Sequence, residues 1–423
     1  MKVLVIGRGG REHTIIWALN KSPKVEKIYC APGNAGIAEL AECVDINEHS
    51  FEELGNFAID NNIDFVVVGP EDPLFAGIVD YFEEKNIPVF GPRKNAAIIE
   101  GSKVFTKDLM KKYNIPTAVY ESFDSYENAL QYLHEQKVPI VIKADGLAAG
   151  KGVIVAQTME EAEAALKDMM LDKVFGEAGN NVVIEEFLQG QEMSILAFVD
   201  GEVVRPMVPS QDHKPIFDGD KGPNTGGMGT YSPVPHIPQA VVDEAIETIL
   251  IPAAKAMVSE GRTFKGILYA GLMITENGPK TIEFNCRFGD PETQVVLPRL
   301  QSDLAEIFLA TINGTLQDIE INWSEEAAVC VVLSSGGYPG SYEKGIPMTG
   351  LDQVEESVVF HAGTALKDGK IVTNGGRLVG VTATGADIAG ARQKVYADVE
   401  KIQYDGKHYR TDIAQKALVA QQS

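Results

Sequence analysis

Short apolar runs and helix-spaced ones alternate from the first residues of the chain. Val3-Leu4-Val5-Ile6, residues 28–30, Phe65-Val66-Val67-Val68 and Val89-Phe90 are compact and strand-like. Residues 11–19, 51–61 and 75–85 instead read as helices lying between them. Such alternation predicts parallel strands joined by crossover helices, a doubly wound sheet of Rossmann type reaching to about Arg93. Its first turn, Gly7-Arg8-Gly9-Gly10-Arg11-Glu12-His13, ends a strand and opens a helix, so its backbone amides can hold a phosphate. A nicotinamide fingerprint would need a third glycine where Glu12 stands.

Pro92-Arg93 and Gly101-Ser102 punctuate the next boundary, followed by a helix over 103–113 and Ile115-Pro116. Ser125 can cap a helix running to about Gln136. After it, Pro139-Ile140-Val141-Ile142-Lys143 reads as a buried strand, residues 144–152 as a glycine-rich turn, and residues 153–156 as a returning strand. That order makes a hairpin lid. A Walker loop is excluded, because Gly150-Lys151 is not followed by Ser or Thr and a helix. A helix over 159–170 precedes strands at 181–188, 192–199 and 203–208. Residues 209–236 are so rich in Gly, Pro, Asp and Asn that a long structureless loop is expected, and a loop of that length inside a compact unit favours ligand binding over a plain surface excursion. A long helix over 238–259 and strands at 266–274 and 279–285 follow. Strands near 328–334, 370–372 and 377–384 with a helix over 387–399 predict a final small α+β unit.

Composition narrows the functional classes. Sixty acidic against 37 basic residues leave a formal net charge of −23, which argues against a nucleic-acid or anionic-membrane surface. Phosphate ligands are not excluded, since exposed charges beyond about 8–10 Å are screened and a few nearby lysines dominate locally. Cys30, Cys43, Cys286 and Cys330 are widely spaced and form no Cys-x-x-Cys pair, as expected of reduced packing residues in a cytoplasmic protein. No segment approaches the roughly 20 apolar residues of a membrane span, and no secretion signal is evident.

The candidate chemistry centres on Glu283-Phe284-Asn285-Cys286-Arg287-Phe288-Gly289-Asp290. In an extended chain Glu283, Asn285 and Arg287 share one face, while Phe284 and Cys286 pack behind. Two oxygen donors suit Mg²⁺, and a guanidinium suits a carboxylate or phosphate. A solvated strand face explains a lone Glu-x-Asn equally well. Lys143 at the start of the glycine-rich turn and Lys103 could meet polyphosphate, or simply snorkel to solvent. Together with a mobile lid, these are the parts that phosphoryl transfer requires. Glu185-Glu186-Phe187-Leu188 could offer backbone groups to an adenine, with Glu192 available to ribose hydroxyls. His213 could act as an acid or base, although a lone loop histidine more often only hydrogen-bonds, and Asp212 is the better candidate for gripping an amine.

In order along the chain, Gly7 to His13, Ala31-Pro32-Gly33-Asn34-Ala35-Gly36, Val68-Gly69-Pro70-Glu71, Gly101-Ser102-Lys103, Lys143 to Gly152, Gln211 to Gly229 and Glu283 to Gln294 resemble the phosphoribosylamine–glycine ligase family, ATP-grasp enzymes of purine synthesis. The resemblance covers essentially the whole chain. Its most specific stretches are Gly222-Pro223-Asn224-Thr225-Gly226-Gly227-Met228-Gly229 and Phe288-Gly289-Asp290-Pro291-Glu292-Thr293-Gln294. It implies a Rossmann-like domain over 1–100, a central ATP-grasp domain over 101–122 and 193–326, a lid over 123–192, and a small α+β domain over 327–423. It further implies that ATP activates glycine as an acyl phosphate, which the amine of phosphoribosylamine attacks.

By the same resemblance Lys103 and Lys143 contact ATP phosphates under the turn containing Gly146, Gly150 and Gly152. Glu185, Glu186 and Leu188 hold adenine, and Glu192 holds ribose. Glu283 and Asn285 bind Mg²⁺, with Mn²⁺ as a substitute. Arg287 steadies the glycine carboxylate and its acyl phosphate, and Asp212, Asn224, Thr225, Gly226 and Gly227 orient the substrates. Gly9, Gly10, Gly33, Asn34 and Glu71 are implied contacts for the phosphoribosyl group. Partners are then small molecules, with room for transient contact with neighbouring purine-pathway enzymes.

Two departures stand out. Position 215, usually basic in the family, is Pro here. Many ATP-grasp relatives carry an acidic metal ligand on the strand before the Glu-x-Asn, and residues 267–274 contain no carboxylate. The residues leave two alternatives, a ligase or carboxylase with another acyl acceptor and a nucleotide sensor without turnover; a dehydrogenase fails on the missing third glycine.

Overall fold

The computed structural model describes residues 1–146, 148 and 151–422. The first strand, Lys2–Gly7, pairs in parallel with Lys27–Pro32 on one side and Phe65–Val68 on the other. Glu42–Cys43 and Val89–Phe90 extend the sheet at its two edges, so the five strands stand in the order 3-2-1-4-5, all parallel. Val3, Leu4, Val5 and Ile6 are fully buried, as a strand covered on both faces requires. The helix expected over 75–85 is instead two, Glu71–Phe75 and Ile78–Glu84. Gly77 between them takes φ +90°, a left-handed turn that breaks the helical ladder.

Two antiparallel sheets follow. In the first, Val203–Pro206, Gln191–Asp200, Lys265–Thr275 and Gly278–Asn285 stand side by side. The second orders Tyr120–Phe123, Val182–Glu186, Ile140–Ala144 and Val153–Ala156, and has its own core of Ala129, Leu133, Ile142, Leu166 and neighbours. The strands on either side of the glycine-rich segment pair antiparallel, as in the predicted hairpin, with Lys143 opposite Val153. Ser125 accepts from Asn128 N at 3.3 Å and caps the next helix, as the sequence indicates. The long helix near 238–259 is continuous but contains a π turn at Ile246–Leu250. The wider turn precedes Pro252, which lacks an N–H and would crowd the carbonyl one turn back.

Residues 209–236 correct the expectation of a structureless loop. They contain the strands Gln211–Asp212, Pro215–Phe217, Lys221–Asn224 and Gly229–Ser232. These strands are too short and too Gly/Pro-rich to show a period. Pairing with distant chain stabilises two of them: Gln211–Asp212 and Gly229–Ser232 join Ala327–Ser334, Arg377–Gly385 and Val358–His361 in one five-stranded sheet. The other two form a hairpin tied to the C-terminal segment. Asp218 accepts from Thr411 N at 2.8 Å, Asp412 accepts from Gly219 N at 2.9 Å, and the buried Arg410 meets Asp220 at 3.0 Å, Asp412 at 2.8 Å and Pro215 O at 3.1 Å. Pro215 therefore serves the hairpin through its carbonyl.

Among the described residues no helix is long and apolar enough to cross a membrane. Arg410→Met is expected to free the hairpin and cost about 1–3 kcal/mol, the range for stranding buried or half-buried polar partners. Urea denaturation followed by circular dichroism measures it.

Candidate active site

The bend that aims the central side chains is a β-bulge. Gly271 pairs with Glu283 and the next residue, Leu272, with Thr281, so Ile282 is left without a partner. Beyond the bulge Glu283, Asn285 and Arg287 line one cavity of about 240 Å³. Glu71, Lys103, Lys143, Gly146 and Gly152 line it as well, which brings eight of the sequence-predicted residues together. Cys286 is fully buried behind it, its thiol pushed well up by burial. Gly150 lies outside the described residues.

Two lysines enter from the helix Lys103–Lys112. Its first turn is capped by Asp145, at the base of the hairpin turn, which accepts from Lys103 N at 2.7 Å and Val104 N at 3.2 Å, while Ser102 accepts from Phe105 N. Lys103 Nζ donates to Gly146 O at 3.0 Å, and burial lowers its pKa against the opposing charge of Glu283. The cap thus fixes hairpin and lysine to each other. Lys107, one turn further along and on the same face, also lines the cavity. It was not singled out from sequence, although its i+4 spacing from Lys103 was the available signal.

Arg287 is gripped from two sides. Its Nε donates to Glu71 at 3.1 Å and a terminal nitrogen to Glu100 at 2.9 Å. Burial would lower its pKa, but Glu100 and Glu71 outweigh that and raise it, so the guanidinium stays charged. Glu100 also accepts from Cys286 N at 2.8 Å, and the sequence offered no sign of it.

The donor set fits a hard divalent cation. The Glu283 carboxylate has no hydrogen bond or ion pair among the described residues, and Asn285 Oδ1 receives only a long contact, 3.4 Å, from Arg287. The carboxylate of one residue and the amide oxygen of the other are therefore open to a ligand. No group of three or more His, Cys, Asp or Glu side chains among the described residues is placed to hold a metal, so the shell would be completed by ligand oxygens and water.

The other expected residues are not among those that line this cavity. Glu185 is buried and ion-paired to Lys107 and Lys143, whereas Glu186 is exposed, accepting from Val119 N at 3.0 Å and lying 3.6 Å from Lys280. Leu188 is half-buried, and Glu192 is exposed with Lys214 3.7 Å away. Asp212 is half-buried, and desolvation, with Glu292 and Glu192 adding to it against Lys214, pushes its carboxyl up to about 7. Asp212 above all, then Glu192, Glu283 and Glu292, keep the half-exposed Lys214 protonated against its partial desolvation. Lys214 therefore links this group electrostatically to Glu283.

A third group joins the N-terminal turn to the C-terminal sheet. Asp290 accepts from Arg11 N at 3.3 Å and Gln294 Nε2 at 2.9 Å, and pairs with Arg377 at 3.6 Å. Gly9 and Gly10 approach it closely: a Cβ on Gly10 would stand 2.7 Å from Gln294 Nε2. Arg377 also donates to Gly227 O at 3.4 Å, and Gly226 N donates to the Tyr338 hydroxyl at 3.1 Å. Gly227, at φ +126°, has no room for a side chain beside Pro291. Thr225 Oγ1 ties the loop to Lys214 O at 2.7 Å, and Asn224 is exposed at a strand end. Asn34 donates to Arg8 O and His361 O and accepts from Gly36 N and Ile37 N, so its amide is spent on shaping the loop that carries Gly33.

A parallel-sheet domain, an antiparallel sheet facing a glycine-turned hairpin lid, and a cavity of lysines and oxygen donors between them define an ATP-grasp enzyme. Three family models match the chain: phosphoribosylglycinamide synthetase N domain over residues 1–100, ATP-grasp (A) domain over 101–293 and C domain over 328–416. A phosphoribosylamine–glycine ligase of Halalkalibacterium halodurans is 56% identical over 99% of this chain and 97% of its own, and one of Pseudomonas aeruginosa is 51% identical over 99% and 98%. The crystal structure of a phosphoribosylamine–glycine ligase from Thermotoga maritima superposes with a TM-score of 0.87 at 36% identity, covering 97% of this chain and 100% of that one. The chain belongs to the phosphoribosylamine–glycine ligase family.

Proposed function

We propose that the chain couples ATP cleavage to amide formation between glycine and phosphoribosylamine, giving glycinamide ribonucleotide, ADP and phosphate in the cytoplasm. The observation that carries this reading in detail is the convergence of Lys103, Lys143, Glu283, Asn285 and Arg287 on one cavity beneath the hairpin turn. A glycine carboxylate oxygen takes the γ-phosphoryl group as ADP departs. The amine nitrogen of phosphoribosylamine then bonds to the activated carbonyl carbon, phosphate leaves, and the nitrogen gives up a proton.

Lys103 and Lys143 would offset charge on the transferring phosphate, with Gly146 and Gly152 bringing backbone close over it. The strand end from Glu185 to Leu188 would present backbone groups to adenine, and Glu192 would reach the ribose. Glu283 and Asn285 would hold Mg²⁺, which when bound neutralises phosphate oxygens and polarises the group being transferred. Arg287 would hold the carboxylate, exchanging part of its pairing with Glu71 or Glu100 for it. Asp212 and the loop of Asn224, Thr225, Gly226 and Gly227 would orient the amine and the acyl group. The phosphoribosyl part would lie against Gly9, Gly10, Gly33, Asn34 and Glu71, with its phosphate toward the helix start at Gly10. Exclusion of water from this cavity matters because an acyl phosphate is readily hydrolysed.

A coupled assay of ADP release tests the reading: release is expected only with glycine and phosphoribosylamine both present, and turnover with bicarbonate in place of glycine would overturn it. Glu283→Gln removes charge but little volume, so the fold is expected to persist while kcat/KM falls by about 100-fold or more, the scale of losing an electrostatic contact to a transferring group. Titration with Mg²⁺ should show weakened metal dependence. Asp212 binds an ammonium only when ionised, and burial raises its pKa to about 7. The carboxylate form therefore grows as pH rises, and kcat/KM for glycine should climb through a limb near 7 that Asp212→Asn abolishes.

A further inference from the structure

One carboxylate serves two buried lysines beside the nucleotide cavity. Glu185, Lys107 and Lys143 are 3%, 3% and 6% exposed. Lys107 Nζ lies 2.6 Å from Glu185 Oε2, and Lys143 Nζ touches Oε1. The two lysines are held differently. Lys107 also donates to Thr117 Oγ1 at 2.7 Å, Thr117 in turn donates to Thr281 O at 2.8 Å, and the Tyr120 ring centroid is 5.5 Å from Lys107 Nζ. Lys143 has only a long contact, 3.4 Å, to Ile282 O, and Glu185 Oε1 finds no aligned hydrogen-bond donor among the described residues despite the adjacent ammonium. Lys107 is therefore anchored on three sides, and Lys143 is attached mainly by charge.

Both ammonium groups face the cavity. If Lys143 is to meet a phosphate it must leave Glu185, and a buried carboxylate left without a partner is strongly unfavourable. We propose that Lys107 is a positioning residue for nucleotide binding: it keeps Glu185 neutralised when Lys143 turns to the phosphate, so that Lys143 can be released. This rests on the reading of Lys143 as a phosphate contact. Two lysines and one carboxylate carry a net charge of +1. After Lys143 departs, the Lys107–Glu185 pair is neutral. Without Lys107, Lys143 is the one ion-pair partner left to Glu185 among the described residues, and Glu185 holds it away from the nucleotide.

The test measures MgADP affinity by isothermal titration calorimetry on the full chain, with the melting temperature recorded for each variant. Lys107→Met is expected to raise the Kd for MgADP about tenfold or more, since a buried charge must be stranded for Lys143 to move. In ATP kinetics the rise should fall on KM, with kcat little changed, because Lys143 is intact once seated. Adding Glu185→Gln in the Lys107→Met background restores the net charge of +1 and removes the competing carboxylate. That double variant should recover most of the lost affinity, and Lys107→Arg should bind nearly as the wild type does. Unchanged affinity in Lys107→Met overturns the inference while leaving the nucleotide site intact, as does a double variant no better than the single one. If Lys107→Met does not fold, the double variant decides: folding with near-wild-type affinity supports the role, and failure overturns it. A wild-type chain that binds no MgADP would remove the underlying reading itself.

Discussion

Arg287 cannot be buried alone, and much of the site follows from that. Its guanidinium is shared by Glu71, from the parallel-sheet domain, and Glu100, from the helix that leads into the lysine-bearing one. A planar fork that satisfies two carboxylates fixes direction as well as charge. The strand carrying Glu283 and Asn285 is thereby registered against the N-terminal domain. The same logic recurs at Asp290, where Arg11 from one end of the chain and Arg377 from the other meet. Charge pairing thus holds the parts together around a pocket in which the Glu283 and Asn285 oxygens are left open.

The balance of whole-chain and local charge also becomes intelligible. A chain with 60 acidic and 37 basic residues concentrates Lys103, Lys107, Lys143, Lys214 and Arg287 about one small volume. Most of these cations have a carboxylate from this chain as partner or near neighbour, so no free positive surface results. An incoming anion enters by exchanging partners with carboxylates already there. Such exchange costs less than desolvating a free ammonium, which is how an acidic protein can still offer a cationic pocket.

Some of this was legible in the residues and some was not. The face shared by Glu283, Asn285 and Arg287 follows from strand alternation over a few positions, and the apolar run before Lys143 marks its strand unaided. The parallel sheet was readable for the same reason, since Val3 to Ile6 and Phe65 to Val68 carry their burial in their composition. Glu100 and Lys107 were not legible, because their meaning depends on partners far along the chain, Arg287 and Glu185. The helix break at Gly77 and the π turn before Pro252 are local but small, below what apolar spacing resolves. Residues 209–236 failed differently: strands of two to four residues have no period of their own and exist because another sheet accepts them.

That borrowed sheet bears on how the protein is made. Gly229–Ser232 hydrogen-bonds to Ala327–Ser334, and Pro215–Phe217 and Lys221–Asn224 are fastened to residues 410–412. During synthesis the segment 211–232 leaves the ribosome long before the strand and the residues 410–412 that complete it. The N-terminal sheet can close early, because its strands all lie within residues 2–90. The hairpin and strand within 211–232 are therefore among the last parts to order. A nascent chain thus carries residues 211–232 unfinished until residues 327–334 and 410–412 have been translated.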